Sequence, residues 1–188
     1  GQMLLRAPSA QAVDYYLTSG FAQTGEHVWQ PDEVPATAKP FRPIALRVCN
    51  QNGKVVDTAR STEPTLLEFE YQLEQEIIGL RVGIYILTTQ GELIFTSFDT
   101  DDQAEYDRYA TRPAGKFISR CEIPADLLNE GRYILGVNAS SFRVKRYFQD
   151  EHALAFTVDP TGAPGMQWQE PRLGPIRPRL KWQIEEYS

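Results

Sequence analysis

Residues 65–73, TLLEFEYQL, contain the clearest structural pattern in this chain of 188 residues. Apolar side chains occupy every second position of the stretch, and carboxylate or amide side chains occupy the positions between them. A period of two predicts a β-strand with one buried face and one solvated face. Because a slip of one residue would bury the carboxylates, we expect the register of this strand to be firm. The apolar row consists of Leu67, Phe69, Tyr71 and Leu73.

The same period recurs before and after this strand. Turn residues such as Asn52-Gly53 and Gln90-Gly91 separate some of the rows, and no long helical pattern intervenes. Short strands at regular spacing without long helices predict an all-β fold, an antiparallel β-sandwich. Residues 123–131 are too short for more than a helical turn and are predicted to form the corner between its two sheets. The other rows are residues 44–48, 80–86, 93–97, 117–123, 133–139 and 154–158.

The two ends of the chain differ from its centre. Residues 9–17 have the spacing of a short helix, and prolines punctuate residues 22–43, which predicts an extended arm. We therefore divide the chain into an arm over residues 1–40 and a sandwich domain over residues 41–188. Near the C-terminus, Ile176, Leu180, Trp182 and Ile184 keep a two-residue spacing around Pro178. Since proline cannot donate a ladder hydrogen bond, this pattern predicts an edge strand.

Composition and motifs exclude several functions. Nineteen basic residues against 25 acidic ones give a formal net charge of −6, which argues against a general nucleic-acid binder. P-loop, nucleophile-elbow and HExxH motifs are absent, so we expect no catalytic residues and no cofactor. His27 and His152 have no second ligand at zinc-site spacing, so no metal site is predicted. Cys49 and Cys121 are interpreted as reduced residues packed on strands.

The densest acidic cluster is Asp99–Glu105, within the segment Asp99–Asp107. Its oxygens could suit calcium, or two of its carboxylates could act on a glycosidic bond across a groove. The segment lacks the glycine and the distal glutamate of an EF-hand loop. We interpret it as a solvated loop that links two strands.

Aromatic residues in the outward register indicate a binding surface. An aromatic ring offers an apolar face on which the C–H side of a sugar can rest, while polar neighbours bind the hydroxyls. The alternative is that these rings cover a second sheet or a subunit interface. The alternation selects eight candidate glycan-binding residues: Arg81, Tyr85, Phe98, Arg120, Asn138, Phe142, Arg143 and Tyr147.

Taken in order, several segments resemble one known family, the C-terminal carbohydrate-binding domain of Wzt. Wzt is the ATPase subunit of ABC transporters that export O-antigen polysaccharide. The most specific segment is GKFISRCEIPADLLNEGRYILGV, residues 115–137, with its "IP-x-x-L-L-x-x-G-x-Y" passage. The other segments are QAVDYYL (11–17), the hairpin of residues 44–73, LRVGIYILTTQGELIFTSFDT (80–100), HALAFTV (152–158) and GPIRPRLKWQ (174–183).

The resemblance implies an immunoglobulin-like sandwich that follows a nucleotide-binding domain absent from this chain. Such a module would recognise the finished glycan on the cytoplasmic side of the bacterial inner membrane, next to the transporter's membrane subunit. It would form a homodimer, and the C-terminal strand could be exchanged between subunits. Two alternatives remain open at this point: a purely structural dimerisation domain, and a glycoside-acting enzyme that uses the Asp99–Asp107 segment.

Overall fold

A computed structural model describes residues 24–165 and 172–186 of the chain, and its regular structure is almost entirely β. Besides the strands, the structure has two short 3₁₀ turns, at Ala36–Ala38 and Asp99–Asp101, and the helix α1, Gln103–Tyr109. The strands are β1 (Glu26–Val28), β2 (Phe41–Cys49), β3 (Thr58–Arg60), β4 (Thr65–Leu73), β5 (Ile77–Ile78), β6 (Leu80–Thr88), β7 (Leu93–Phe98), β8 (Thr111–Arg112), β9 (Gly115–Ile123), β10 (Gly131–Ser141) and β11 (Lys145–Asp159).

The strands form a sandwich of two main sheets, as predicted. The first sheet has the order β1-β2-β4-β9, and the second has the order β3-β11-β10-β6-β7. All neighbours are antiparallel except β3 and β11, which pair in parallel. The predicted corner, residues 123–131, joins β9 in the first sheet to β10 in the second. A small additional sheet pairs β5 with β8.

The core lies between the inward rows of the two sheets. On β4 the four residues of the predicted apolar row are all at most 2% exposed, while Glu68, Glu70 and Gln72 face outward. On β6 the predicted row is buried as well, and its members are Leu80, Val82, Ile84 and Ile86. Both rows therefore have the predicted register, because only one face of each strand could be buried without burying charge.

Part of the predicted arm belongs to the sandwich. Glu26–Val28 pairs with β2, and Trp29 is only 7% exposed within the core cluster. Prolines restrict the local backbone but do not prevent a short segment from joining a sheet edge. The row of residues 44–48 predicts an inward position for Ile44, but this side chain is only half-buried. The reason is a bulge in β2 between Pro43 and Ala45.

The predicted C-terminal edge strand is not formed in the described residues 172–186. Ile176 makes an isolated bridge with Leu128, and the chain beyond it has no regular structure. Asn129 anchors the beginning of this segment, since its Nδ2 donates to the carbonyls of Arg172 at 2.7 Å and Gly174 at 2.8 Å. The remaining members of the predicted row, Leu180, Trp182 and Ile184, are exposed because no strand lies beside them to pair with. The predicted helix over residues 9–17 lies outside the described residues.

Candidate functional site

An open groove of about 360 Å³ lies on the outward face of the second sheet. Strands β6 and β10 form its floor, and the end of β7 and the β10–β11 hairpin form its walls. Six of the eight candidate residues chosen by alternation line this groove. They are Arg81, Tyr85, Phe98, Asn138, Phe142 and Arg143.

The centre of the groove is an arginine between two aromatic rings. The guanidinium carbon of Arg81 lies 4.6 Å from the ring centroid of Phe98 and 5.1 Å from that of Phe142. The ring of Phe98 reaches this position because its neighbour across the ladder is Gly83. A Cβ on Gly83 would lie only 2.4 Å from a ring carbon of Phe98. The glycine therefore lets the ring lie close to the strand.

A chain of hydrogen bonds holds the arginine from below. Arg81 Nε donates to the hydroxyl of Ser140 at 3.3 Å, and this hydroxyl donates to Oδ1 of Asn138 at 3.0 Å. Ser140 and Asn138 point outward yet are buried beneath the larger side chains of the groove. Rings at the sides and hydrogen bonds below restrict Arg81 to one orientation, so its remaining donors are positioned before any ligand arrives.

The β10–β11 hairpin presents its side chains at the rim of the groove. The amide of Val144 donates to the carbonyl of Ser141 at 3.0 Å, which closes a four-residue turn. Arg143 occupies the third position of this turn with φ of +57°, a left-handed conformation in which glycine or asparagine is preferred. Phe142 is 62% exposed beside it. The turn therefore tolerates a strained arginine and an exposed ring at the edge of the groove.

Tyr85 provides a hydroxyl on the groove floor. Partial burial raises the pKa of Tyr85 above its ordinary value, while the charge of Arg146 lowers it by less and that of Glu151 raises it further. The phenol is therefore protonated at neutral pH and can donate as well as accept a hydrogen bond. Its ring offers an apolar surface next to that hydroxyl.

Two candidate residues do not lie in the groove. Arg120 points outward from β9 on the first sheet, where its Nε lies 2.7 Å from a carboxylate oxygen of Glu68. Tyr147 packs against the core, because β11 is irregular where Ala139 and Ser140 of β10 meet it, and the ladder skips Tyr147. Alternation identifies the outward face of a strand, but it does not show to which sheet the strand belongs or where the pairing of two strands is irregular.

Five further groove residues were not predicted from alternation: Ser140, Ser141, Val144, Lys145 and Arg146. Ser140 lies two residues from Asn138 on the same face, so its register could have identified it. Lys145 and Arg146 begin β11 directly after the exposed hairpin. The basic run Arg143–Arg146 was the available signal, since only Val144 interrupts it.

A larger cavity of about 570 Å³ opens at the edge between the two sheets, beside β7 and β9. Arg112 lies on its wall and is 5% exposed. Its guanidinium contacts Asp99 at 3.0 Å and donates to the hydroxyl of Tyr71. The rings of Tyr109 and Phe117 lie within 6 Å of the same guanidinium.

The acidic segment Asp99–Asp107 borders this cavity and is not the loop that we predicted, since it contains a 3₁₀ turn and most of α1. Its carboxylates satisfy local donors. Asp99 accepts from the amide of Val82 at 2.9 Å, and Asp101 accepts from the amide of Phe98 at 2.8 Å. Asp102 caps α1 by accepting from two backbone amides. Within residues 24–165 and 172–186, no group of three His, Cys, Asp or Glu residues is placed to hold a metal ion.

Both cysteines lie on strands as free thiols, as the sequence predicted. Burial raises the pKa of Cys49 on β2 and of Cys121 on β9 above the ordinary value for a thiol. Raised pKa values leave both thiols protonated at neutral pH and poorly nucleophilic. Over the described parts of the chain, no helix has the length and apolar character needed to cross a bilayer.

The fold and the groove together define a class of protein: a two-sheet β-sandwich domain that presents an aromatic and basic groove on one outward face. The family model described as the Wzt C-terminal domain matches residues 43–168, and the chain belongs to this family. The resemblance inferred from the sequence is thereby confirmed.

A solved structure supports the fold assignment. The crystal structure of the C-terminal domain of Wzt matches with a TM-score of 0.61 and 14% identity, over 79% of this chain and 84% of that one. A CARDB domain from Pyrococcus furiosus matches over 64% of this chain and 94% of its own, at 10% identity and a TM-score of 0.37. This similarity is too low to support the fold assignment. No curated protein matches the sequence.

Proposed function

We propose that this domain binds a bacterial polysaccharide, an O-antigen glycan, in the groove on the second sheet without transforming it. The observation that carries the proposal is that six of the residues selected by alternation line one open groove. Rings in the groove can support the apolar faces of sugars, while Arg81, Asn138 and Tyr85 supply hydrogen-bonding groups. An open groove also suits a long chain better than a closed pocket, because the ends of a polymer must leave the site.

The hydrogen bonds of the acidic segment favour binding over glycoside hydrolysis. A hydrolase needs two carboxylates free to act as acid and as base or nucleophile. Asp99, Asp101 and Asp102 instead accept hydrogen bonds from the backbone, and Asp99 also pairs with Arg112. We therefore propose that the Asp99–Asp107 segment closes the edge of the sandwich.

Titration of the chain with a panel of bacterial polysaccharides tests glycan binding. We expect Tyr85→Ala to weaken binding by about 1–3 kcal/mol, the usual cost of truncating an aromatic anchor in a contact surface. Tyr106→Ala is the matched control, because Tyr106 is an exposed tyrosine on α1 that does not line the groove. Equal affinities for the two variants, both folded, would remove Tyr85 from the site. Reducing ends that accumulate during incubation would favour the enzyme instead.

We further propose that the domain works inside an ABC transporter at the cytoplasmic face of the bacterial inner membrane. Residues 1–40 would contain the connection to a nucleotide-binding domain, which would contact the transporter's membrane subunit. Family membership supports this proposal, since the family is named for the C-terminal domain of Wzt. Expression of the parent gene without this domain would then block export of the polysaccharide but not its synthesis.

A homodimer is part of the same proposal. Leu180, Trp182 and Ile184 are large, exposed and spaced by two residues, as in a strand that lacks its neighbour. Pairing of this segment with a second copy of the chain would bury them and complete the predicted edge strand. Sedimentation velocity of the full chain and of a variant lacking residues 174–188 tests this. We expect a dimer and a monomer, respectively, and a dimer in both would contradict the exchange.

The alternative function is a dimerisation domain that binds no glycan. The exposed C-terminal row favours it as much as it favours the proposal above. The polysaccharide titration separates the two functions, because a pure dimerisation domain would bind no member of the panel.

A further inference from the structure

We infer that the groove selects glycans that carry negatively charged substituents, carboxylate or phosphate, over neutral glycans. This inference rests on the proposed function of the groove. Four cationic side chains line the groove, and no carboxylate lines it. The chain as a whole carries a formal charge of −6, so this concentration of positive charge runs against its composition. The cations are Arg81, Arg143, Lys145 and Arg146.

These four cations are not neutralised by the protein. None of them forms an ion pair with a carboxylate within the part of the chain that the structure describes. Lys145 donates to the backbone carbonyl of Lys39 at 2.7 Å, which positions its ammonium but leaves the charge uncompensated. Glu151 does not line the groove, and its charge acts on Tyr85 together with those of Arg146 and Arg81.

The outward face of the first sheet shows the opposite arrangement. Arg47 Nη1 lies 2.8 Å from Glu70, and Arg120 Nε lies 2.7 Å from Glu68. Among the described residues, two outward arginines of the first sheet are therefore paired with carboxylates, whereas the four cations of the groove are not. Unpaired like charges at close range repel one another, so their clustering costs stability unless an anion joins them.

The conformation of Arg143 is a second and independent observation. A left-handed φ disfavours an arginine relative to glycine, and the turn gains nothing from this side chain in the hydrogen bonds described. The guanidinium lies 5.0 Å from the ring of Phe142 and stays at the exposed rim. A residue that breaks a local rule at the edge of a binding groove is typical of a functional position.

The test uses the full chain and a set of purified bacterial polysaccharides in matched forms. Uronic-acid polysaccharides are compared with their carboxyl-reduced forms, and phosphorylated ones with their dephosphorylated forms, by titration at 50 mM and 500 mM salt. We expect at least one charged form to bind about tenfold more tightly than its neutral form at low salt. This difference should shrink at high salt, since the Debye length falls from above 10 Å to below 8 Å.

Variants test whether the preference for charged glycans comes from the cations of the groove or from the positive charges of the chain in general. The double variant Arg143→Gln/Arg146→Gln should lose about tenfold in affinity for the charged form and little for the neutral one. The matched control, Arg42→Gln/Lys116→Gln, removes the same charge from exposed positions of the first sheet and should bind like the unmodified chain. Arg143→Gly should keep or raise the urea midpoint and still weaken binding, because glycine accepts the left-handed turn.

Each other outcome overturns the inference in a distinguishable way. Equal affinity for charged and neutral forms would refute it and leave the proposed glycan function intact. No binding to any polysaccharide would refute both. Tighter binding to a 20-nucleotide single-stranded DNA or to phosphatidylglycerol vesicles than to every polysaccharide would show that the basic groove serves another polyanion.

Discussion

Replacement of Trp29 by alanine tests whether the segment before residue 41 belongs to the folded domain. In the structure Trp29 is 7% exposed, and its ring lies 5.5 Å from that of Phe69 and 5.4 Å from that of Phe148. Its Nε1 donates to the carboxylate of Asp150 at 3.1 Å. The side chain therefore connects the segment before β2 to both sheets of the sandwich.

The expected loss follows from these contacts. Truncation of a buried tryptophan to alanine costs about 3–5 kcal/mol, because the transfer energy of the ring is lost and a cavity is left. Trp29→Phe keeps most of the apolar contact and removes the hydrogen bond, so we expect about 1–2 kcal/mol for it. Against a typical total of about 5–15 kcal/mol, the alanine variant should be strongly destabilised. Urea unfolding followed by circular dichroism measures both values without relying on tryptophan fluorescence.

Trp182→Ala is the matched control, since Trp182 is 85% exposed in the C-terminal segment. We expect its free energy of unfolding to change by no more than about 0.5 kcal/mol in dilute protein. A larger effect that grows with protein concentration would report the proposed dimer instead. A loss below about 1 kcal/mol for Trp29→Ala would refute the core position of Trp29 and restore the interpretation of residues 1–40 as an arm, since buried tryptophans are not so dispensable.

Further predictions concern four single positions. Gly136→Ala should cost about 1–3 kcal/mol in urea unfolding, because its Cβ would lie 2.6 Å from a backbone oxygen of Glu151. The Cβ of Gly83→Ala would lie 2.4 Å from the movable ring of Phe98 and 2.9 Å from a backbone oxygen of Ser97, so we expect this variant to cost less stability than Gly136→Ala and to weaken glycan binding instead. A larger loss of stability for Gly83→Ala than for Gly136→Ala would contradict these contacts. Burial raises the pKa of Tyr133 to about 12, so the stability it contributes is complete below about pH 10 and is lost as pH rises through 12. Tyr133→Phe should therefore flatten the decline of the urea midpoint over that range. Asp102→Ala should lower stability by about 1 kcal/mol through loss of the α1 cap, and Asp102→Asn should restore most of it.

The strands could be predicted from the sequence because their pattern depends on one physical condition. A strand with one buried face must alternate, and any shift would bury the carboxylates of β4 or the arginine of β6. The same condition predicted which side chains point outward from each strand, and six of these side chains line the groove. Family resemblance added the immunoglobulin-like type of sandwich, which alternation alone does not define.

The errors arose where a residue's position depends on distant parts of the chain. Prolines indicate an extended backbone around Trp29, but only the sheet edge of β2 decides where that backbone lies. The spacing of Trp182 and Ile184 is typical of a strand. A strand forms only where its backbone groups can pair with a neighbouring strand, and this segment has no such neighbour among the residues that the structure describes. Tyr147 lies outside the groove because the pairing of β10 with β11 is irregular at this point. Arg120 lies outside it because β9 belongs to the other sheet.

The two outward faces show why only one of them forms a groove. On the first sheet, long charged side chains reach one another across the strands, diagonally from Arg47 to Glu70 and directly from Arg120 to Glu68, so they fill the surface and neutralise each other. On the second sheet, each ladder pair in the groove combines a small with a larger residue: Gly83 pairs with Asn138, and Ser140 pairs with Arg81. Small residues in the strand centres leave a depression, and rings from the strand ends cover its sides. Because the depression is built from the backbone ladder itself, we expect its shape to persist without a ligand, and we propose that the unpaired charges around it select the ligand.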